Sequence, residues 1–411
     1  MSAPILEVRW WDGSVVGYLA NRGTVYFAYH DAWLKRGHNL SPLNLAFTAT
    51  AFNGAKGVEG LPGLIADCLP DAWGRRVAQS NFAKHKLGEL TALKLLAWRG
   101  ARGLGALQFY PEIGDDDQPR NARLAAVTAS ALARGAIQIQ RGKPSKVLSQ
   151  LVYGGTAGGA FPKALVLAYP DGTLSVGQPD GVGVPSLLKL DLSRLGGLAE
   201  REHAYALMSA AAGIRSVSTS LIQGEKTTHH LLVRRFDIPD QRHPQRRLHF
   251  HSLSRLLHQD PGALDYSDLF RAAIQLGAPL ADLREIARRM LFNVLAANAD
   301  DHGKNHAFAY EESSRTWSLT PAFDLNFQSG ILDRGMKVSG EVWPKLGTME
   351  AMCFEVGIAR KEFRAIVDQV DAAVAGWMRF AKAVQVPDAL AREAAAGHKQ
   401  VRAAVMSAHL G

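Results

Sequence analysis

The chain has 411 residues, a formal net charge of +9 and a pI near 9.5, with 47% hydrophobic and 21% charged residues. That length accommodates two or three domains, and the composition is that of a globular protein, not of a disordered or fibrous one. No run approaches the roughly 20 apolar residues that span a bilayer and no signal peptide is legible; Cys68 and Cys353 are too few for a disulfide framework or a Cys-based zinc site. The expectation is a soluble cytoplasmic protein with no membrane partner, whose positive field favours acidic partners or nucleic acid without specifying either.

The first thirty residues read as a β-meander. Glu7–Trp11, Val15–Ala20 and Thr24–Tyr29 are strand-like runs separated by Asp12-Gly13 and Asn21-Arg22-Gly23, residues that tolerate positive φ in hairpin turns. Trp10, Trp11, Tyr26, Phe27 and Tyr29 fit the core of this small domain better than a stacking surface. A short helix starts at Asp31, and Leu40-Ser41-Pro42 is an extended piece. A helical region runs towards Lys86, a second helix spans Leu90–Trp98, and Gly103–Tyr110 is a closing strand. Pro111–Arg120, with Gly114-Asp115-Asp116-Asp117, makes a linker.

A helical stretch from Asn121 to Gln140 then leads into the glycine-rich segment Gly154–Lys163. Ala164–Tyr169 and Leu174–Gly177 flank an Asp171-Gly172 hairpin turn, and Leu187–Asp191 is a strand with Lys189 in its middle. Leu198–Ala212 is an alanine-rich helix ended by Gly213, and Thr219–Ile222 pairs with His230–Phe236. The remainder is mostly helical, with an apolar helix at Ile286–Ala297 and long amphipathic helices at Arg360–Val384 and Asp388–His409. Arg242, Arg246, Arg247, His243 and His249 form a basic cluster, read first as a solvated loop. The fold class is α+β, with domains expected at 1–110, 121–236 and 237–411: a β-rich amino half, a glycine-loop lobe and a helical lobe.

Chemistry concentrates in Asn298-Ala299-Asp300-Asp301-His302-Gly303-Lys304-Asn305 and in Pro321-Ala322-Phe323-Asp324. A carboxylate and a carboxamide five positions apart, then a second carboxylate after a hairpin-like interval, is the spacing of a kinase-type phosphoryl-transfer site. One Asp orients the acceptor hydroxyl, while the Asn and the later Asp hold Mg²⁺. A hydrolase metal site would want more His or carboxylate ligands at defined spacing, and helix capping by Asp300 or Asp301 is the structural alternative. Gly158 and Gly159 would let backbone amides approach a phosphate. The strand that follows, and the lack of Gly-Lys-Ser/Thr before a helix, favour a kinase covering loop over a Walker A loop; a flexible surface loop is the other reading. Lys189 on its strand and Glu202 on the next helix match the pair that aims an ammonium at nucleotide phosphates, against an edge lysine pointing outward. His302 and Lys304 are candidate phosphate donors.

These residues resemble the HipA family, bacterial serine/threonine kinases that act as toxins of type II toxin–antitoxin modules. The amino portion matches through Tyr29–Leu34, Leu40-Ser41-Pro42 and Leu69-Pro-Asp-Ala-Trp-Gly-Arg75. The core matches through Gly158-Gly159-Ala160-Phe161-Pro162-Lys163, Leu188-Lys189-Leu190, Glu202, Val233–Asp237, Asn298–Asn305 and Pro321–Asp324. The resemblance implies that Asp300 is the catalytic base, Asn305 and Asp324 the Mg²⁺ ligands, and Lys189 the phosphate-binding lysine. It makes Gly158–Lys163 the ATP-covering loop, Arg234, Arg235 and Phe236 the adenine hinge acting through backbone groups, and His302, Gly303 and Lys304, with Phe323, part of the ATP site.

It further implies autophosphorylation just before the glycine-rich loop, where this chain has Thr156 in place of the usual serine. The implied substrate is an aminoacyl-tRNA synthetase such as the glutamyl enzyme, whose modification stalls translation and favours dormancy. The implied partners are a HipB-like helix-turn-helix antitoxin and, through that complex, operator DNA. Two rivals stand beside this reading. One is a small-molecule phosphotransferase of the aminoglycoside kind, against which the amino domain speaks. The other is a catalytically silent co-repressor scaffold, against which the intact Lys189, Asp300, Asn305 and Asp324 speak.

Overall fold

The computed structural model describes residues 5–114, 126–154, 159–177, 180–193, 196–328 and 334–406. Its contacts form two units, Met1–Gly196 with Ser220–Phe250, and Gly197–Thr219 with His251–Gly411.

The first unit opens with the expected meander. Strands β1 (Ile5–Arg9), β2 (Val15–Asn21) and β3 (Val25–Tyr29) pair antiparallel through turns in which Gly13 and Gly23 take φ of 87°, a region that costs any residue with a Cβ. Helix α1 (Asp31–Arg36), strand β4 (Phe52–Asn53), helices α2 (Gly63–Ala66), α3 (Ala72–His85) and α4 (Ala92–Arg99), and strand β5 (Gln108–Tyr110) complete this portion. The sheet order is β4-β3-β2-β1-β5. Trp10, Trp33, Trp73 and Trp98 are essentially removed from solvent; at about 25 cal/mol per Å² and roughly 150–250 Å² each, every indole is worth about 4–6 kcal/mol of burial. Phe27 and Tyr29 join them in the core. Leu40-Ser41-Pro42 is not a strand. The Leu40 carbonyl accepts from His249 Nε2 at 3.0 Å, so a side chain takes the place of a neighbouring strand.

The same unit continues with helices α5 (Ala129–Gln140) and α6 (Leu148–Gly154) and with strands β6 (Lys163–Ala168), β7 (Leu174–Ser175) and β8 (Val184–Lys189). Helix α5 starts later than the sequence suggests: Val127 bridges to Leu174, and the Thr128 hydroxyl caps the helix by accepting from Ala131 N at 3.1 Å. Beyond helix α7 (Leu198–Ala211), which belongs to the second unit, strands β9 (Thr219–Gln223) and β10 (His229–Arg234) give the sheet order β7-β6-β8-β10-β9. Lys189 ends β8 and is not central to it. Asp191 turns the chain instead, its carboxylate accepting from Ser193 N and Oγ at 2.9 and 2.6 Å.

The second unit is mainly helical. It contains the end of β11 (His249–Ser252), whose first two residues belong to the first unit, α8 (Leu253–Leu256), α9 (Tyr266–Gln275), α10 (Leu280–Leu295), the hairpin β12 (Ala307–Glu311) and β13 (Thr316–Leu319), and α11 (Leu346–Glu355). Then follow α12 (Arg360–Ala375), α13 (Trp377–Ala383) and α14 (Asp388–Met406). The single helix expected over Arg360–Val384 is two, divided at Gly376, where glycine lowers helix propensity by about 1 kcal/mol. Helix α10 begins at Leu280, ahead of the apolar run that marks it in the sequence. Its early turns carry Asp282, Glu285 and Arg289, all nearly fully buried and all partnered. Asp282 accepts from Leu319 N at 2.7 Å, and Arg289 donates to Glu285 and to the Thr320 carbonyl at 2.9 and 2.7 Å. Buried charges persist only when paired this way, and here they tie α10 to the end of the β12–β13 hairpin. Among the described residues no helix is long and apolar enough to cross a membrane.

Candidate active site

Each unit carries candidate functional residues, and each set is built by its own elements. In the first unit β6 and β8 place Lys163 and Lys189 directly opposite one another. Cross-strand partners share a face of the sheet with Cβ atoms about 4.5–5.5 Å apart. Two lysines paired across this strand end are of the residue type that binds phosphate. Lys163 is buried, and its Nζ passes so close over Gly159 that a Cβ there would stand 2.2 Å from it. Gly159 has φ of 103°, so the backbone there demands glycine. Phe161 is 70% exposed at the tip of this segment. Thr156 and Gly158 lie outside the described residues.

Gly159 and Lys163 are both held by the amino-terminal portion. Gly159 N donates to Asp71 Oδ2 at 2.6 Å, and the Trp73 indole donates to the Lys163 carbonyl at 2.8 Å. Asp71 stands at the N-cap of α3 yet makes no side-chain cap bond. Sequence reasoning missed both roles, although the Leu69–Arg75 motif that carries them was singled out. On β10 the exposed Arg234 ends the strand, and Arg235 N donates to the Pro185 carbonyl at 2.9 Å. The Arg235 guanidinium is committed to Asp237 at 2.9 and 2.6 Å, and Phe236 packs edge-on against Phe250. In the basic cluster, Arg242 and His243 are solvated as expected, but Arg247 and His249 are buried.

In the second unit α10 ends at Leu295 with Ala296 as its C-cap, Ala297 turns left-handed at φ of 51°, and the chain enters the Asp300 loop. The Asp300 side chain is about half exposed, with His302 Nε2 at 3.9 Å from Oδ1. Burial raises its carboxyl above the usual value; His302 opposes this, while Asp324 and Asp301 push it up further. Asp324 therefore lies within electrostatic reach of Asp300. It takes φ of 57° after Pro321-Ala322-Phe323, a segment fixed by backbone bonds of Ala322 to Arg215 and Val217 at 2.7 and 2.9 Å.

Asn305 Nδ2 donates to the Asp300 carbonyl at 2.8 Å, which leaves its Oδ1 as the group to offer a cation. The Asn305 carboxamide oxygen and the Asp324 carboxylate are hard donors of the kind Mg²⁺ takes, and a cation near them would relieve the repulsion between Asp324 and Asp300. Gly303 has a packing role: its backbone bonds Pro261 and Ser254, and a Cβ would stand 2.4 Å from Leu264 Cδ1. Lys304 is half-buried beside it, and Glu202 is half-buried on α7. Tyr266, Asn293, His306 and Arg334 also converge on this loop. No sequence spacing announced them, because they come from α9, α10, the loop end and a segment some thirty residues on.

The chain matches the HipA N-terminal domain over residues 6–110 and the HipA-like C-terminal domain over residues 155–377. It is similar to the Sinorhizobium fredii protein named "Putative kinase Y4mE", 27% identical and covering 93% of this chain and 86% of that one. A second protein of that organism, "Putative kinase Y4dM", is 24% identical over 78% of this chain and 76% of its own. In fold the chain resembles a chain from the Shewanella oneidensis MR-1 complex of the toxin–antitoxin proteins HipA and HipB with operator DNA, with a TM-score of 0.71, 17% identity and coverage of 97% and 96%.

Proposed function

This chain belongs to the HipA family, and from that premise we propose that its kinase-like core is a serine/threonine protein kinase dependent on ATP and Mg²⁺. The observation that carries the reading is the second-unit loop, where Asn305 is tied to the Asp300 backbone with Asp324 in electrostatic reach. Asp300 accepts the proton of the acceptor hydroxyl. Asn305 and Asp324 would hold Mg²⁺, which would neutralise charge on the nucleotide phosphates. Lys163, Lys189 and the amides near Gly159 are assigned to phosphate binding, and Glu202 is the helix carboxylate that the family resemblance pairs with such a lysine. The backbone at Arg234–Phe236 receives the adenine. The acceptor is a cytoplasmic translation protein, an aminoacyl-tRNA synthetase by family resemblance, and the consequence is growth arrest. A HipB-like antitoxin and operator DNA are the proposed partners, a reading supported by the fold likeness to a chain of a HipA–HipB–operator complex. Phosphoproteomics after brief induction tests it: new phosphoserine or phosphothreonine on a synthetase is expected, and no new phosphosite compared with an Asp300→Asn control sinks it.

Nucleotide binding to the native state alone raises the melting temperature with ligand concentration, by about 2.7 kcal/mol of stability at 100 times Kd. ATP with Mg²⁺ should therefore shift the transition upward by several degrees. Lys189→Ala should reduce that shift at equal ATP, read by differential scanning fluorimetry. A shift unchanged by Lys189→Ala removes the lysine from the phosphate site.

Thr156 is proposed as the self-modified residue. A phosphate there adds close to two negative charges at neutral pH beside a segment rich in glycine. Intact mass after incubation with ATP and Mg²⁺ should rise by one phosphate in the native chain and not in Thr156→Ala. A full increment in the variant moves the site elsewhere, with Ser149 and Ser145 next to inspect.

A further inference from the structure

Beneath the Asp300 loop lies a buried carboxylate that the proposed chemistry does not use. Asp301 is 1% exposed. Its Oδ1 accepts from His306 Nε2 at 2.6 Å, and its Oδ2 accepts from the Tyr266 hydroxyl at 2.5 Å and from Arg334 Nη2 at 3.1 Å. The Tyr266 oxygen accepts in turn from Asn293 Nδ2, and Asn293 Oδ1 from Asn298 Nδ2, both at 3.0 Å. Arg334 also donates to the carbonyls of Asn293 and Met336 at 3.1 and 3.3 Å. One carboxylate thus joins α9, α10, the segment at Arg334 and both ends of the loop.

The loop is closed twice across five residues. Asn305 reaches the Asp300 carbonyl, and His306 reaches the Asp301 carboxylate. The first closure presents the groups assigned to proton transfer and metal binding, and the second lies one residue further along each arm, fully buried. A cavity of about 10 Å³ lies against this second closure, lined by Asn293, Asn298, Asp301, Asn305 and His306 among others. That is room for one water. Among the described residues Asn298 Oδ1 and His306 Nδ1 are buried without a hydrogen-bond partner, so polar atoms of two lining residues remain for it to satisfy.

We propose that Asp301 is a positioning residue of the phosphoryl-transfer site, acting through His306, Tyr266 and Arg334 to fix the Asp300 carboxylate and the Asn305 metal-binding oxygen. The inference rests on the kinase reading above. A site oxygen mis-set by an ångström holds Mg²⁺ poorly and leaves the acceptor poorly oriented. Supporting contacts behind a metal ligand are worth roughly 10–100-fold in metal affinity or activity. They should appear in kcat and in the metal requirement, with the KM for ATP nearly unchanged.

The test compares His306→Leu, His306→Gln and Tyr266→Phe with the native chain, each at a temperature where circular dichroism shows it folded. In His306→Leu the Asp301 charge keeps Arg334 and Tyr266, and in Tyr266→Phe only one hydroxyl is lost, so at least one variant stays folded. His306→Leu is expected to lower kcat by about 10–100-fold and to raise the Mg²⁺ half-saturation by a similar factor. His306→Gln, which keeps a donor for Asp301, should restore most of both. Calorimetric Mn²⁺ binding with a non-hydrolysable ATP analogue should weaken in the same order.

Variants that melt earlier yet keep native kcat and Mn²⁺ affinity would overturn the positioning role and leave Asp301 as structural glue. If the native chain transfers no phosphate, the kinase reading fails on its own, and the Mn²⁺ series still decides whether Asp301 sets Asn305. No Mn²⁺ binding by the native chain overturns both.

Discussion

Asp300→Asn is expected to cut phosphoryl transfer by about 10²–10⁴-fold, the range for removal of a general base, with the chain fully folded. The side chain is about half exposed, and the bond from Asn305 goes to the Asp300 carbonyl, which the substitution retains. Stability should hold or rise slightly. The Asp300 carboxyl is held above its usual pKa by burial and by Asp324 and Asp301, so the native state binds its proton more tightly than the unfolded chain does. Ionisation at neutral pH therefore opposes folding, and a neutral isostere removes that opposition. Initial rates with labelled ATP and a melting curve check both halves. Near-native transfer would remove Asp300 from the role of base.

Asp324 yields a sharper pair of variants. Its φ of 57° is a conformation that Asn adopts readily and Ala adopts at a cost of about 1–2 kcal/mol. Asp324→Asn and Asp324→Ala should both lose transfer by orders of magnitude, because each removes a carboxylate assigned to Mg²⁺. Only the alanine variant should melt earlier. Excess Mg²⁺ should recover little in either. If the asparagine variant works at ordinary Mg²⁺, Asp324 is not a metal ligand, and if it melts as early as alanine, its backbone role has been misjudged.

The order of elements was legible because it depends on local signals: Asp12-Gly13 and Asn21-Arg22-Gly23 turn the meander, Asp171-Gly172 turns the second sheet, and the α+β class follows. The candidate residues were legible as spacing, since Asp300 and Asn305 meet across one short loop. Two kinds of feature were not. The start of α10 was hidden because its charged residues are buried and paired with partners thirty or more positions away, whereas hydropathy reads a charge as exposed. The shell around Asp301 was hidden for the same reason, since Tyr266, Asn293 and Arg334 are brought together only by packing. The end of β8 was misplaced by two residues, because Asp191 satisfies a turn that no apolar pattern registers.

The bonds from Asp71 and Trp73 to Gly159 and Lys163 span 88 and 90 residues of chain. At synthesis rates of about 5–20 residues per second, the earlier partners leave the ribosome roughly 4–18 s before the later ones exist. Those seconds suffice for the helix that carries Trp73 to form, since local elements form in microseconds. The glycine-rich segment, poor in side chains to guide itself, then emerges opposite a carboxylate and an indole N–H already in place. On the ribosome, the amino-terminal portion acts as a mould cast in advance for the strand that follows it.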